Sequence, residues 1–128
     1  MNDISVIIAA RMGSSRFKGK TLFNLCGKSM LYRLIERIKF SKYSKKIILA
    51  TTQNSEDDLL ESFCRENNII CYRGSSSDVL LRLKNAAIKY KVKHIIEILG
   101  DNPLIHSSII NTCVEKYFSS NSSYLATA

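Results

Sequence analysis

The segment Gly13-Ser14-Ser15-Arg16-Phe17-Lys18-Gly19-Lys20-Thr21 sets three cations among small residues, directly after an apolar run. Glycine and serine let a ligand approach the backbone closely, and its N–H groups together with Arg16, Lys18 and Lys20 would surround a triphosphate. The spacing is not that of a Walker A loop. Five residues separate the glycines where four are needed, and Leu22-Phe23-Asn24 does not open a helix. The alternative for the segment is a flexible basic loop.

Asp101, in Gly100-Asp101-Asn102-Pro103, follows a second apolar run and would reach the same crevice. A carboxylate beside a triphosphate nominates Mg²⁺, which takes one or two protein carboxylates and completes its shell with phosphate oxygens and water. The same residue also suits a turn ahead of Pro103. Arg73-Gly74-Ser75 would offer a cation and backbone groups to a base or ribose. His94 and His106 have no companion His or Cys at metal-ligand spacing, and no nucleophile–His–acid set is present.

These residues need elements to position them. Ile4 to Ala10 reads as a central strand covered on both faces. Met30, Leu31, Leu34, Ile35 and Ile38 recur at helical spacing behind Ser29, a good N-cap. Lys46 to Thr52 reads as a second strand, and Ser55-Glu56-Asp57-Asp58 opens a second helix with a capping-box pattern and a stripe of Leu59, Leu60, Phe63 and Cys64. Ile69 to Tyr72 is a short third strand. The loop Arg73 to Ser77 follows, then a helix with Val79, Leu80, Leu83, Ala86, Ala87 and Tyr90 inward. His94 to Leu99 is a fourth strand. Ile109, Ile110, Cys113, Val114, Tyr117 and Phe118 make the apolar face of a fourth helix, and Tyr124 to Thr127 would begin a fifth strand. Strand-then-helix units imply right-handed crossovers and a doubly wound α/β fold, with a mostly parallel sheet and helices on both faces. Ligands of such sheets bind at the carboxyl ends of the strands, which singles out the loops after each one.

The chain has 128 residues, which fits one domain, and a 45% hydrophobic content with one Pro excludes disordered and collagen-like classes. Val6 to Ala10 is too short to cross a membrane, and Asp3 argues against a signal peptide, so the cytoplasm is the expected compartment. Cys26, Cys64, Cys71 and Cys113 lack disulfide-framework or zinc spacing and read as reduced core thiols. Of the net charge of +8, the stretch Arg11 to Lys46 carries +10, from eleven basic residues and Glu36. Such a cluster calls for a polyanionic partner. Nucleic acid is the weaker choice, because RNP-like aromatics and a basic recognition helix are absent and much of the charge already has a phosphate role.

Ile8-Ala9-Ala10-Arg11-Met12-Gly13-Ser14-Ser15-Arg16 with Gly19-Lys20, then Ala50-Thr51-Thr52, Arg73-Gly74-Ser75 with Asp78-Val79-Leu80, and Gly100-Asp101-Asn102-Pro103 come in order along the chain. Together they resemble the CTP-dependent sugar cytidylyltransferases, in particular the spore-coat polysaccharide type and, further off, those acting on acylneuraminate and 3-deoxy-manno-octulosonate. The resemblance implies a Rossmann-like nucleotidyltransferase fold. It places Ala9, Ala10 and Arg11 at the cytidine portion, Gly13, Ser14, Arg16 and Lys20 at the triphosphate, Arg73 and Ser75 nearby, and Mg²⁺ on Asp101. Arg11, Arg16 and Lys20 would carry the charge of the reaction, transfer of CMP from CTP to a sugar acid or related sugar for surface polysaccharide. It implies that residues 1–128 are the nucleotide-binding half, with the sugar-binding half, and with it the surface of a homodimer, missing. Lys18 stands where relatives usually have Pro. The alternatives are a nucleotidyltransferase for another nucleotide and a nucleotide-binding or regulatory module without turnover.

Overall fold

In the computed structural model, which describes residues 3–13 and 16–127, Ile4–Ala9 forms strand β1. Pleating sends successive side chains to opposite faces, so Ile4, Val6 and Ile8 enter one core while Ile7 enters another. The run is continuously apolar because neither face meets water. Ile47–Thr52 (β2), Ile70–Gly74 (β3) and His94–Leu99 (β4) complete a four-stranded sheet in which every pairing is parallel, in the order β3-β2-β1-β4. Ala9 stands opposite Ala50 on one side and Leu99 on the other. The chain thus builds outward from β1 to β3 and then crosses back beyond β1 to lay down β4. In sheets of this kind the crevice that takes a ligand lies outside the carboxyl ends of the strands flanking such a reversal, here β1 and β4.

Helices α1 (Met30–Ile38), α2 (Asp58–Glu66), α3 (Val79–Lys89) and α4 (Ser107–Ser119) cover both faces, as the strand-helix alternation requires. The division between faces is uneven. Leu31 and Leu34 of α1, Leu60 and Cys64 of α2, and Ile110 and Val114 of α4 share the core of Val6 and Ile8. Among these helices α3 alone packs on the opposite face, through Leu83, Ala86 and Ala87 against Ile7, Ile48 and Ala50. Ser29 caps α1 by accepting the Tyr32 N–H at 3.1 Å, and Asp78 caps α3 by accepting that of Leu81 at 2.9 Å.

Several expectations need correction. Ser55 does not cap α2. Residues Ser55–Asp57 make a 3₁₀ turn, and Asp57, at the N-cap, sends its carboxylate elsewhere. Leu59 is exposed because it lies about 100° around the helix from Leu60, on which the buried stripe is centred. Ile109 is offset from Ile110 in the same way. Val79 and Leu80 are exposed in the first turn of α3, where the inward place goes to Arg82. Cys26 is an exposed turn residue, at φ 53° beside Gly27 at φ 90°, in the hairpin joining Asn24–Leu25 to Lys28–Ser29. Cys64 is buried as expected, and all four cysteines are free thiols. Residues 124–127 form no strand; Tyr124 is exposed, and Leu125 instead lines a recess with Ile109 and Cys113 of α4.

Candidate functional site

β1 delivers Ala9 and Ala10 to the crevice and releases the chain at Arg11, whose side chain is exposed. Beyond Arg11 the chain closes on itself as a loop. The Gly19 N–H donates to the Met12 carbonyl at 3.0 Å, and the Thr21 hydroxyl donates to the Arg11 carbonyl at 3.0 Å. Gly19 makes this return with φ 78°, a left-handed conformation that a side chain would disfavour. Lys20–Leu22 then winds into a 3₁₀ turn, which is why no P-loop helix succeeds the loop. Phe17 stacks edge-on against Phe23, their centroids 5.2 Å apart, so the loop also has a small apolar clasp.

Closing the loop brings Lys20 back to the sheet. Its Nζ lies 3.6 Å from Oδ2 of Asp101, just beyond β4. Both side chains are substantially exposed, so the pair is open to a ligand and contributes little to stability. Gly100 sits against the end of β1, its N–H donating to the Ala9 carbonyl at 2.9 Å. A Cβ on Gly100 would lie 2.7 Å from the Ala10 Cβ and 3.0 Å from the Ala9 oxygen, so glycine is what lets Asp101 approach so closely.

The sequence-nominated residues therefore divide. Ala9, Ala10, Arg11, Gly13, Lys20 and Asp101 are gathered at the carboxyl ends of β1 and β4, and Arg16, on the same loop, is exposed. Ser14 lies outside the described residues. Arg73 is placed differently from the expected loop position: it belongs to the end of β3, opposite Thr51. Its guanidinium donates to the Thr52 carbonyl at 2.8 Å, the Asn54 carbonyl at 2.7 Å, Asp58 at 2.6 Å and Glu61 at 3.4 Å. The hydrogen bond with Asp58 holds it above the ordinary arginine pKa. It braces the start of α2. Ser75 likewise serves locally, its hydroxyl accepting the Asp78 N–H at 3.1 Å. His94 pairs with the Tyr117 hydroxyl at 3.2 Å, and His106 caps α4.

Three residues at the site went unread in the sequence. Asp57 is fully buried and accepts the Met12 N–H at 2.7 Å. Arg82 is buried in α3, donating to the Ser75 carbonyl at 3.3 Å, while its Nε has no partner among the described residues. Burial pulls its pKa below the ordinary arginine value; Asp57 opposes that shift and Arg11 adds to it. Glu56 brings its carboxylate against Gly13, where a Cβ would lie 2.6 Å from Oε1. The readable signal was the acid run Glu56-Asp57-Asp58. Its capping interpretation hid a second use.

No described helix is long and apolar enough to cross a membrane, and no cluster of three or more metal-ligating side chains occurs among the described residues. A lone Asp101 still fits Mg²⁺, because that ion is commonly held by one or two carboxylates with the rest of its shell from phosphate and water.

The reversal of strand order between β1 and β4 marks where a sheet of this kind takes its ligand, and comparison with known proteins gives the family. Residues 5–128 match the cytidylyltransferase family profile. The spore coat polysaccharide biosynthesis protein SpsF of Bacillus subtilis is 34% identical over 128 residues, covering 97% of this chain and 53% of that protein. A 3-deoxy-manno-octulosonate cytidylyltransferase of Blochmanniella pennsylvanica is 34% identical over 108 residues, covering 82% of this chain and 41% of that protein. The solved structure of a cytidylyltransferase from Leptospira borgpetersenii superposes with a TM-score of 0.88 at 33% identity, covering 93% of this chain and 50% of that one. The chain spans about half the length of the curated relatives it matches. With the family profile spanning all but the first four residues, and with the parallel sheet and its β1–β4 crevice in place, the chain belongs to the cytidylyltransferase family.

Proposed function

We propose that the β1–β4 crevice binds CTP with Mg²⁺, and that residues 1–128 are the nucleotide-binding half of an enzyme that transfers CMP to a sugar acid or related sugar. The observation that carries this reading is the meeting of Lys20 and Asp101 at the switch point of the sheet, a cation and a carboxylate 3.6 Å apart and both open to solvent. Family membership supports the nucleotide, and the named activity of the 3-deoxy-manno-octulosonate relative supports the sugar-acid class.

In the transfer, a sugar hydroxyl oxygen forms a bond to the α-phosphorus as its proton passes to solvent and the α–β anhydride bond breaks, and pyrophosphate leaves. The task of the protein is positioning and charge neutralisation. Arg11, Arg16 and Lys20 would bind the phosphates, and the backbone at Ala9 and Ala10 would face the cytidine. Asp101 would hold Mg²⁺, which supplies further neutralisation of the phosphate oxygens.

Titration with CTP, UTP, GTP and ATP in the presence of Mg²⁺ tests the reading. Selective binding of CTP is expected. Equal affinity for all four would reduce the site to a triphosphate grip, and no binding at millimolar CTP would overturn it.

A further inference from the structure

We infer that Asp57 is a positioning residue of the nucleotide site, clamping the backbone at Met12 and so fixing the direction in which Arg11 and the phosphate loop leave β1. This rests on the crevice being the nucleotide site. Asp57 touches no solvent, so its role is to hold other groups rather than to meet a ligand. One carboxylate oxygen accepts the Met12 N–H at 2.7 Å, and the other accepts the Thr52 hydroxyl at the end of β2. The Thr52 oxygen in turn accepts the Asn54 N–H at 3.1 Å, and the Asp57 N–H donates to the Asn54 carbonyl at 3.0 Å. A single carboxylate thereby joins the first loop to the β2–α2 connection.

The placement runs against the helix's own interest. An aspartate at an N-cap ordinarily accepts an N–H of its own first turn, and α2 forgoes that bond. Burial lowers the pKa of the Arg82 guanidinium in α3, and Asp57 works against that shift. A buried carboxylate with both oxygens bonded selects one geometry where apolar packing would allow several. Glu56, one residue earlier, touches Gly13, so the start of α2 meets the phosphate loop at two points.

The test compares Asp57→Ala, Asp57→Asn and Thr52→Val with the wild type, by amide hydrogen exchange at Met12 and by Mg²⁺–CTP titration. Asp57→Ala removes both acceptors; Met12 exchange should accelerate about tenfold or more and CTP affinity fall about tenfold, the scale of a hydrogen bond to a charged group. Asp57→Asn keeps an acceptor for Met12 and should restore most of both. If Asp57→Ala does not fold, Thr52→Val, which frees only one carboxylate oxygen, should show the same changes at about a third of the size. Unchanged Met12 exchange in every folded variant, or CTP affinity lost equally in Asp57→Ala and Asp57→Asn with Met12 still protected, would overturn the assignment. Failure of the wild type to bind CTP would overturn the nucleotide reading, and the exchange measurement would still decide whether Asp57 holds Met12.

Discussion

Lys20 and Asp101 come from loops that follow different strands, yet Nζ of the first lies 3.6 Å from Oδ2 of the second. Two backbone bonds make this possible: Gly19 to Met12 returns the first loop to the sheet, and Gly100 to Ala9 seals β4 against β1. The pair is a consequence of strand order. Had β4 been laid down beyond β3, Asp101 would stand three strands from Lys20.

Gly100→Ala should damage the site through the backbone. The added Cβ would meet the Ala10 Cβ at 2.7 Å and the Ala9 oxygen at 3.0 Å, neither of which can swing away. Overpacking of this kind costs about 1–3 kcal/mol. Urea denaturation should register that loss, and CTP binding should weaken with it.

Glu56→Gln should strengthen triphosphate binding. The Glu56 carboxylate rests against Gly13, within the segment nominated for phosphates, and like charges there repel. Titration with CTP and with cytidine should show a gain of about two- to fivefold for CTP alone, larger at low salt.

Arg73→Ala should act on stability. Its guanidinium ties Thr52, Asn54, Asp58 and Glu61 together, and loss of bonds from a charged donor costs about 1.5–3 kcal/mol before solvent exposure of the acids is discounted. Calorimetry should find a lower Tm, and Arg73→Lys, lacking the planar fork, should recover little of it.

The thiols should separate by pH. A hydrogen bond between Cys64 and Cys71 keeps the proton on Cys64 and raises its pKa, with burial adding to the effect, and the same bond lowers that of Cys71. A lowered pKa puts thiolate at lower pH. Alkylation followed by mass spectrometry should therefore find Cys71 labelled with a midpoint below the ordinary thiol value, Cys26 labelled fastest through its exposure, and Cys64 unlabelled in the folded state.

Much of this architecture was legible in the residues. The unbroken apolar run at Ile4 to Ala10 specified a strand covered on both faces, and Ser29 specified a helix start, because each signal is local. Gly100-Asp101 was legible as the end of an apolar strand for the same reason. What the residues did not disclose was nonlocal. Asp57 looked like part of a capping box because its true partners, Met12 and Thr52, become neighbours only once β1 and β2 pair. Arg73 looked like a free cation because the acids that occupy it lie on α2. Arg82 fell at an inward helical position that periodicity would fill with an aliphatic residue.

The most direct test is calorimetric titration of Mg²⁺–CTP into the wild type, Lys20→Ala and Asp101→Ala, with Mg²⁺ withheld in a parallel series. Each substitution should leave the Tm unchanged, because the pair is exposed, and should weaken binding about tenfold or more. The effect of Asp101→Ala should vanish when Mg²⁺ is withheld, while that of Lys20→Ala should persist. Wild-type affinity in both variants would place the nucleotide elsewhere and contradict the assignment of the β1–β4 crevice.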